Sequence, residues 1–127
     1  MAEVVETRSG RCWLRDDGIL HWEGHPGVTQ RLEDAVENVA ALARAGRGQL
    51  RPSLICLGSI HAIDRDARTY YAGPEAAKTS AAIGMVVEFP VARVIGTFFL
   101  GLNKPLMPVQ LFSSETEALD WLRIFLR

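Results

Sequence analysis

The chain alternates between short apolar runs and longer amphipathic segments along most of its length. Two strand-like runs, 11–15 and 19–23, flank Asp16-Asp17-Gly18. Aspartate and glycine at this point favour a tight turn with a positive φ angle, so the pattern predicts a β-hairpin. The first eight or so residues lack such a pattern, and we expect them to form a loosely held lead-in.

The segment after the hairpin predicts an amphipathic helix. Its apolar positions recur at intervals of three and four, which places them on one face: Leu32, Ala35, Val36, Val39, Leu42 and Ala43. We expect Thr29 to be its N-cap and Gly46 to be its C′ residue. The next run, 54–57, is short and uniformly apolar between Pro52 and Gly58, as is typical of a buried strand.

The rest of the chain repeats this alternation of helix and strand. Asp64 is expected to cap a short helix through Tyr71, and Pro74 to open a further turn. Residues 81–87 predict a second buried strand. A third helix is expected from Pro90 to the break at Lys104-Pro105, with this inner face: Val91, Val94, Ile95, Phe98, Phe99 and Leu102.

The final elements are a strand and a capped helix. Residues 109–112 predict the strand, and Ser114 with Glu117 fits a capping box before an apolar-faced helix. The predicted order is therefore β-β-α-β-α-β-α-β-α. It indicates one α/β domain over residues 1–127, with its core at 11–126 and a mostly parallel sheet that has one antiparallel strand and is flanked by helices.

Composition narrows the function classes. The 14 basic and 15 acidic residues leave a net charge of −1, without the concentrated basic face that nucleic acid requires. No run approaches the roughly 20 apolar residues that cross a bilayer, and no N-terminal segment suggests secretion, so we expect a cytoplasmic protein. Cys12 and Cys56 lack the spacing of a metal or redox pair. We therefore expect buried reduced thiols, no metal site and no cofactor.

The order of elements and several short motifs resemble the STAS superfamily and, more closely, uncharacterised bacterial SpoIIAA-like proteins. The motifs are Gly58-Ser59, the helix start at 64–68, the stretch FFLGLNK at 98–104, Phe112-Ser113-Ser114 and residues 118–122. The resemblance covers 11–126 and implies the fold above. It also implies a non-catalytic regulatory or protein-interaction module.

In the SpoIIAA-like antagonists of anti-sigma factors, a serine that follows the third strand is phosphorylated. The resemblance therefore makes Ser59 the candidate phosphoacceptor. The family carries Asp-Ser-Ser-Gly at this place, whereas this chain has Leu57-Gly58-Ser59-Ile60, and its next helix starts about five residues later. The alternative interpretation is a turn serine that bonds to its own backbone.

The polar residues after Ser59 also have two interpretations. His61 beside Asp64 or Asp66 has the composition of a general-base pair. The chain carries no nucleophile elbow, phosphate-binding glycine loop or zinc-protease helix, however, so we expect no enzyme. Helix capping and the helix dipole account for the two aspartates.

The third helix carries more apolar residues than one inward face can hold, because successive positions turn by 100°. We therefore predict an interaction surface made of these residues: His61, Asp64, Arg65, Arg68, Phe98, Phe99, Leu102, Asn103, Lys104 and Met107. It would bind a partner protein or a second copy in a homodimer. The alternative is a carrier or sensor of a small lipophilic ligand, held between sheet and helices as in lipid-transfer domains of similar fold. Three glycines would leave room there: Gly84, Gly96 and Gly101.

Overall fold

The computed structural model describes residues 3–126, which form a mixed α/β fold. The strands are β1 (Val5–Glu6), β2 (Gly10–Leu14), β3 (Leu20–Gly24), β4 (Thr29–Gln30), β5 (Arg51–Cys56), β6 (Ala62–Ile63), β7 (Ser80–Val86) and β8 (Val109–Phe112). The helices are α1 (Leu32–Ala45), α2 (Arg65–Ala72), α3 (Pro74–Thr79), α4 (Pro90–Phe98) and α5 (Glu115–Leu122). A π-helical turn, Phe99–Asn103, extends α4, and a 3-10 turn, Arg123–Phe125, follows α5. None of these helices is long and apolar enough to span a bilayer.

Six strands form the main sheet in the order β1-β2-β3-β5-β7-β8. Strand β2 is antiparallel to both of its neighbours, and β3, β5, β7 and β8 are mutually parallel. The prediction of a mostly parallel sheet with one antiparallel strand is confirmed. The predicted hairpin is β2–β3, and Gly18 in its turn has φ +88°. Strands β4 and β6 pair separately, in parallel.

The two faces of the main sheet are covered unequally. Helices α1 to α4 pack on one face, which we call the four-helix face, around Trp22, Leu42, Met85 and Phe99. Helix α5 covers the other, which we call the α5 face, through the cluster Ile19, Leu54, Ala82, Val86, Phe112, Ala118 and Leu122. Because side chains alternate along a strand, Ile55 faces the four helices while Leu54 and Cys56 face α5.

Glycine permits close packing at one point on each face. A Cβ on Gly84 of β7 would lie 3.1 Å from Leu122 Cδ1, so its absence lets α5 pack directly on the strand. A Cβ on Gly96 of α4 would lie 2.9 Å from Leu111 Cδ2. The space beside each glycine is filled by neighbouring side chains, so neither glycine leaves the open space that the sequence suggested.

Helix α1 differs from its prediction at both ends. Thr29 is not the N-cap, because Thr29 and Gln30 form β4 against β6. The cap position is Arg31, whose backbone N–H donates to Asp34 Oδ2 at 2.9 Å. At the other end Gly46 is right-handed (φ −80°), and the left-handed residues are Arg47 and Gly48.

The N-terminal residues are held more firmly than predicted. Strand β1 pairs with β2, with Val5 opposite Cys12. Arg8 donates to both carboxylate oxygens of Asp34, at 2.6 and 2.7 Å. The prediction of a loosely held lead-in is wrong for these residues, because their polar side chains bond to α1. Hydrophobic periodicity gives no indication of such polar interactions.

The strand predicted at 54–57 begins earlier: β5 spans Arg51–Cys56 and includes Pro52, which a register shift against β7 accommodates. The predicted caps of the later helices are confirmed. Asp64 caps α2 by accepting from Ala67 N at 3.0 Å, and Pro74 opens α3. Ser114 caps α5 by accepting from Glu117 N. Strand β8 spans the predicted four residues, and Lys104, with φ +47°, ends the π-helical turn.

Candidate functional site

The outer side of α4 and the loop after it carry a row of exposed apolar side chains. We call this row the α4 stripe, and each member is between 50% and 71% exposed: Phe89, Val91, Val94, Phe98, Leu102 and Leu106. Four of them are spaced by three or four residues and therefore follow one another along the same side of the helix. The predicted exposed apolar surplus is present, but it includes residues that were expected on the inner face of the helix.

The inner side of α4 is formed by residues that lie between the members of the α4 stripe along the chain. Ala92, Gly96 and Phe99 are buried against the sheet, with Ile95 partly buried. The prediction that Val91, Val94, Phe98 and Leu102 face the core was therefore wrong. The close approach at Gly96 selects this side, because the bulkier row would hold the helix farther from Leu111.

Two residues of the predicted interaction surface are not on the surface. Phe99 is only 4% exposed and Met107 only 7%, and both belong to the core of the four-helix face. Phe98, Leu102 and Lys104 are exposed, as the predicted interaction surface requires, although Phe98 and Leu102 were also assigned to the inner face. Asn103 is partly buried and donates to Thr69 Oγ1 at 3.5 Å, which links the π-helical turn to α2.

The polar junction after β5 is an exposed turn. Ser59 and His61 are exposed, and their backbones bond to the β3–β4 connection through Gly27 N–Ser59 O and His61 N–Val28 O, both at 2.9 Å. Strand β6 lies between Ser59 and α2, so the serine does not begin the helix. Its role as phosphoacceptor stays a prediction.

The charged residues of the junction serve the start of α2. Asp64 caps the helix, and Arg68 Nη1 donates to Ile63 O at 2.6 Å, while Arg65 is exposed. Among residues 3–126, no hydrogen bond or ion pair joins His61 to Asp64 or Asp66. The general-base pair that the sequence suggested is not assembled in the structure.

A cavity of about 60 Å³ lies beneath the four helices. Apolar side chains dominate its wall, including Trp22, Ile55, Met85 and Phe99. Ile55 keeps partial exposure although it lies on the central strand, because it lines this cavity. An apolar cavity that accepts benzene has about 150 Å³, so this one is too small for an acyl chain.

A polar network forms one side of the cavity. Tyr71 donates its hydroxyl proton to Gln30 Oε1 and accepts from Asn38 Nδ2 at 3.0 Å. Asn38 also binds Ser9 Oγ at 2.9 Å and accepts from Thr7 at 2.7 Å. Burial raises the pKa of Tyr71, so its phenol is neutral. The hydrogen bonds of this network join α1 and α2 to the strands.

A separate cluster lies on the α5 face, where His21 near the start of β3 and Cys56 at the end of β5 meet the first residue of α5. His21, Cys56 and Glu115 bring one ligand atom each to within 4.8 Å of one another. Cys56 Sγ is 4.0 Å from His21 Nε2, and Glu23 Oε2 is 3.6 Å from the same nitrogen. The ring of Trp13 stacks on the imidazole, with centroids 4.2 Å apart.

Sequence reasoning missed this cluster because its members come from three elements far apart in the chain. The signal that the sequence did contain is the alternation of side chains between the two faces of a strand. His21 alternates with the buried Leu20 and Trp22, and Cys56 follows Leu54 at the interval that keeps both on one face. Glu115 joins them only because α5 packs on that face. Cys56 is a free cysteine among the described residues, and its side chain is only partly buried rather than buried as expected.

Burial sets the protonation of the cluster. It is the main cause that raises the pKa of Cys56 to about 12, and it lowers the pKa of His21. Glu115, Glu23 and Glu88 also raise the Cys56 pKa, while Arg15 opposes them. At neutral pH the isolated cluster therefore contains a thiol and a neutral imidazole.

Comparison with known proteins identifies the fold. Residues 12–126 match a family described as Domain of unknown function (DUF7793). Among solved structures, the chain is similar to an uncharacterised DUF3478 protein with a SpoIIAA-like fold from Shewanella loihica PV-4. The identity is 18% and the TM-score 0.55, over 96% of this chain and 92% of that one. No curated protein matches. The SpoIIAA-like fold implied by the sequence is confirmed.

Proposed function

We propose that this chain, which belongs to the DUF7793 family, is a non-catalytic regulatory module that binds a partner protein through the α4 stripe. The observation that carries the proposal is the continuity of six exposed large apolar side chains on one helix and its loop. Single exposed apolar residues are normal on protein surfaces, whereas contiguous rows mark interaction sites.

The stripe has the spacing of a helix that lies in an apolar groove. Val91, Val94, Phe98 and Leu102 provide anchors at intervals of three and four, which is how such helices are recognised. Helix α4 contacts β6, and the π-helical turn contacts α2. These contacts favour an interaction surface that also includes the predicted residues His61, Arg65 and Arg68, which lie in or beside these elements.

The charges around the stripe define the partner further. No acidic residue occurs between Phe89 and Ser114, and the two cations of this segment, Arg93 and Lys104, are both exposed. A partner with an apolar groove and an acidic rim complements this surface. A second copy docked stripe to stripe would bring like charges together, so we favour a different protein over the homodimer.

Site-specific photo-crosslinking in the native host tests this proposal. A crosslinking residue at position 94 should capture a defined protein, and the same residue at position 36 should not. Val94 and Val36 are both helical valines of similar exposure, at 52% and 44%, so the pair is matched. Identical products at both positions, or none at either, would contradict the interaction role.

Capture of a second copy at position 94 would keep the interaction role and replace the partner by a homodimer. Sedimentation velocity of the purified chain distinguishes these outcomes directly. We expect a monomer at about 100 μM, because the like charges of two stripes oppose their association. A dimer that Val94→Asp dissociates and Val36→Asp leaves intact would establish self-association.

Regulation by phosphorylation fits the same module. Ser59 is exposed in the turn after β5, where a kinase has access to it. A phosphate would add about two negative charges beside the exposed junction. Intact-mass analysis of the protein from its native host should show an added phosphate that is lost in Ser59→Ala. An unmodified mass under all growth conditions would remove Ser59 from the proposal.

The cavity supports a second candidate function, in which the protein carries a small lipophilic ligand. Its wall is apolar apart from the Tyr71 network, and the indole Nε1 of Trp22 is buried there without a partner. At about 60 Å³ it accepts a small apolar group and not a lipid chain. Native mass spectrometry should detect the ligand in the wild type and lose it in Ala76→Met, which fills the cavity. A ligand-free spectrum of both proteins would contradict this candidate.

A further inference from the structure

The side chains of His21, Cys56 and Glu115 converge on one point of the α5 face. We propose that they form a binding site for a divalent transition-metal ion, with zinc as the expected occupant. This site is independent of the α4 stripe, because it lies on the opposite face of the sheet.

The three ligand types select the metal. A thiolate sulfur, an imidazole nitrogen and a carboxylate oxygen together suit zinc, which takes all three, and are unsuited to magnesium or calcium, which prefer oxygen. With ordinary zinc bond lengths and tetrahedral angles, sulfur and nitrogen ligands stand about 3.6 Å apart. The observed 4.0 Å between Cys56 Sγ and His21 Nε2 requires only a small closure.

The geometry around the imidazole separates metal binding from catalysis by a cysteine nucleophile. A catalytic Cys-His-carboxylate arrangement places sulfur and carboxylate on different ring nitrogens. Here Cys56 Sγ and Glu23 Oε2 both approach Nε2, and Nδ1 is buried without a hydrogen-bond partner among residues 3–126. Groups that approach the same imidazole nitrogen lie around a common position, as the ligands of a metal ion do.

The ring of His21 is already held in place. Its side chain is 7% exposed and stacks on Trp13 with an interplanar angle of 13°. Cys56 ends β5, and Glu115 is the first residue of α5, so all three ligands stand on regular elements. A site built on rigid elements loses little conformational freedom when the ion binds.

The surrounding charge favours a cation. Glu23 and Glu88 add negative charge near Cys56, and Arg11 and Arg15 oppose it in part. Glu23 Oε1 is bound by Arg11 at 2.6 Å, which leaves Oε2 facing the imidazole as the nearest further donor. The three clustered ligands leave a fourth tetrahedral position, for which Glu23 is the nearest further side chain. When zinc binds, the Cys56 S–H bond breaks, the sulfur keeps the electron pair and the proton passes to water.

Titration of the metal-free protein tests the site. Zinc should bind with one ion per chain, and cobalt should give the absorption band of a thiolate–cobalt bond. Cys56→Ala should abolish that band, and Cys12→Ala, which removes the cysteine of the four-helix face, should retain it. A titration without stoichiometric zinc binding, or a cobalt band that survives Cys56→Ala, would overturn the proposal.

The exposed ligand provides a variant that does not threaten folding. Glu115→Gln should weaken zinc binding at least about tenfold. Glu117→Gln is its matched control, since it removes the same charge from the same helical turn while glutamine still completes the capping box. Equal affinities of the two variants would remove Glu115 from the site and overturn the assignment. Loss of partner crosslinking at position 94 would not affect this result, so the two proposals fail separately.

Discussion

The two faces of the main sheet are built from the same strands but differ in how they are covered. The four-helix face has a large core, a buried polar network, a cavity and an outer row of apolar side chains. The α5 face has one short helix, which packs directly on Gly84, and a cluster of potential metal ligands beside it. Alternate residues of one strand can therefore serve unrelated purposes.

The two faces should also differ in how well they tolerate substitutions in the core. On the four-helix face, Ile55 and Met85 line free space, so small changes of volume can be absorbed. On the α5 face, Leu122 and Ala118 are fully buried and approach the backbone of Gly84. We expect core substitutions to have their largest effects on the side with fewer helices.

The largest expected effect is the truncation of Leu122. Leu122→Ala should lower the free energy of unfolding by about 4 kcal/mol, because it opens a cavity in the layer of side chains between α5 and the sheet. Ile55→Ala should cost about 2 kcal/mol, since this side chain is partly exposed already. Urea unfolding followed by circular dichroism measures both. Equal costs would show that the two faces are packed alike.

A matched pair of alanines should respond in opposite directions. Ala118→Met overpacks the α5 face and should destabilise the protein by about 2 kcal/mol. Ala76→Met fills the cavity and should stabilise it by about 1 kcal/mol. Thermal unfolding of the two variants measures the signs. A destabilising Ala76→Met would indicate that the cavity cannot accept added volume.

The ion pair of Asp34 tests how the four-helix face is fixed. The hydrogen bonds from Arg8 hold the pKa of the Asp34 carboxyl below its ordinary value. The unfolded pKa is about 3.9, so this stabilisation is complete above pH 5 and is lost as the pH falls through the lower folded pKa. Asp34→Asn should cost about 2 kcal/mol at pH 7.

Urea unfolding at two pH values checks that interpretation. The difference between wild type and Asp34→Asn should be smaller at pH 3 than at pH 7, because protonation of the wild-type carboxyl removes the same interaction. A difference that is independent of pH would mean that the carboxylate charge does not hold α1 to the N-terminal segment.

The smallest effect on stability is expected at the α4 stripe. Val94→Asp and Val36→Asp should each change the free energy of unfolding by less than about 0.5 kcal/mol, because both side chains are largely solvated. Thermal unfolding measures this, and crosslinking from position 98 should then be lost with Val94→Asp alone. A strongly destabilised Val94→Asp would mean that the stripe belongs to the core.

Most of the framework could be predicted from the sequence because its signals are local. The hairpin turn at Gly18 and the cap at Asp64 each depend on neighbouring residues. The helix α1 was predicted in the same way, but its predicted inner face was wrong at Leu32 and Val36, which are exposed. The orientation of α4 could not be predicted this way. Both of its sides carry apolar residues, and the close approach at Gly96, a contact with a distant strand, decides which side is buried.

The candidate sites follow the same rule. The apolar excess at 98–102 is a local feature and was predicted. Phe99, however, was assigned to the exposed interaction surface and is buried. The cluster of His21, Cys56 and Glu115 depends on the β3–β5 pairing and on the packing of α5, so no local pattern indicates it. Long-range contacts define the chemistry of this chain, and short-range ones define its elements.

The covering of one sheet face by α5 has a consequence for synthesis on the ribosome. Strands β5 and β7 are synthesised before residues 115–122, so Leu54, Ala82 and Val86 can be buried against α5 only after that helix has been added. A half-covered sheet is a substrate for chaperones and for association with other nascent chains. Docking of α5 is therefore the step that ends this vulnerable period.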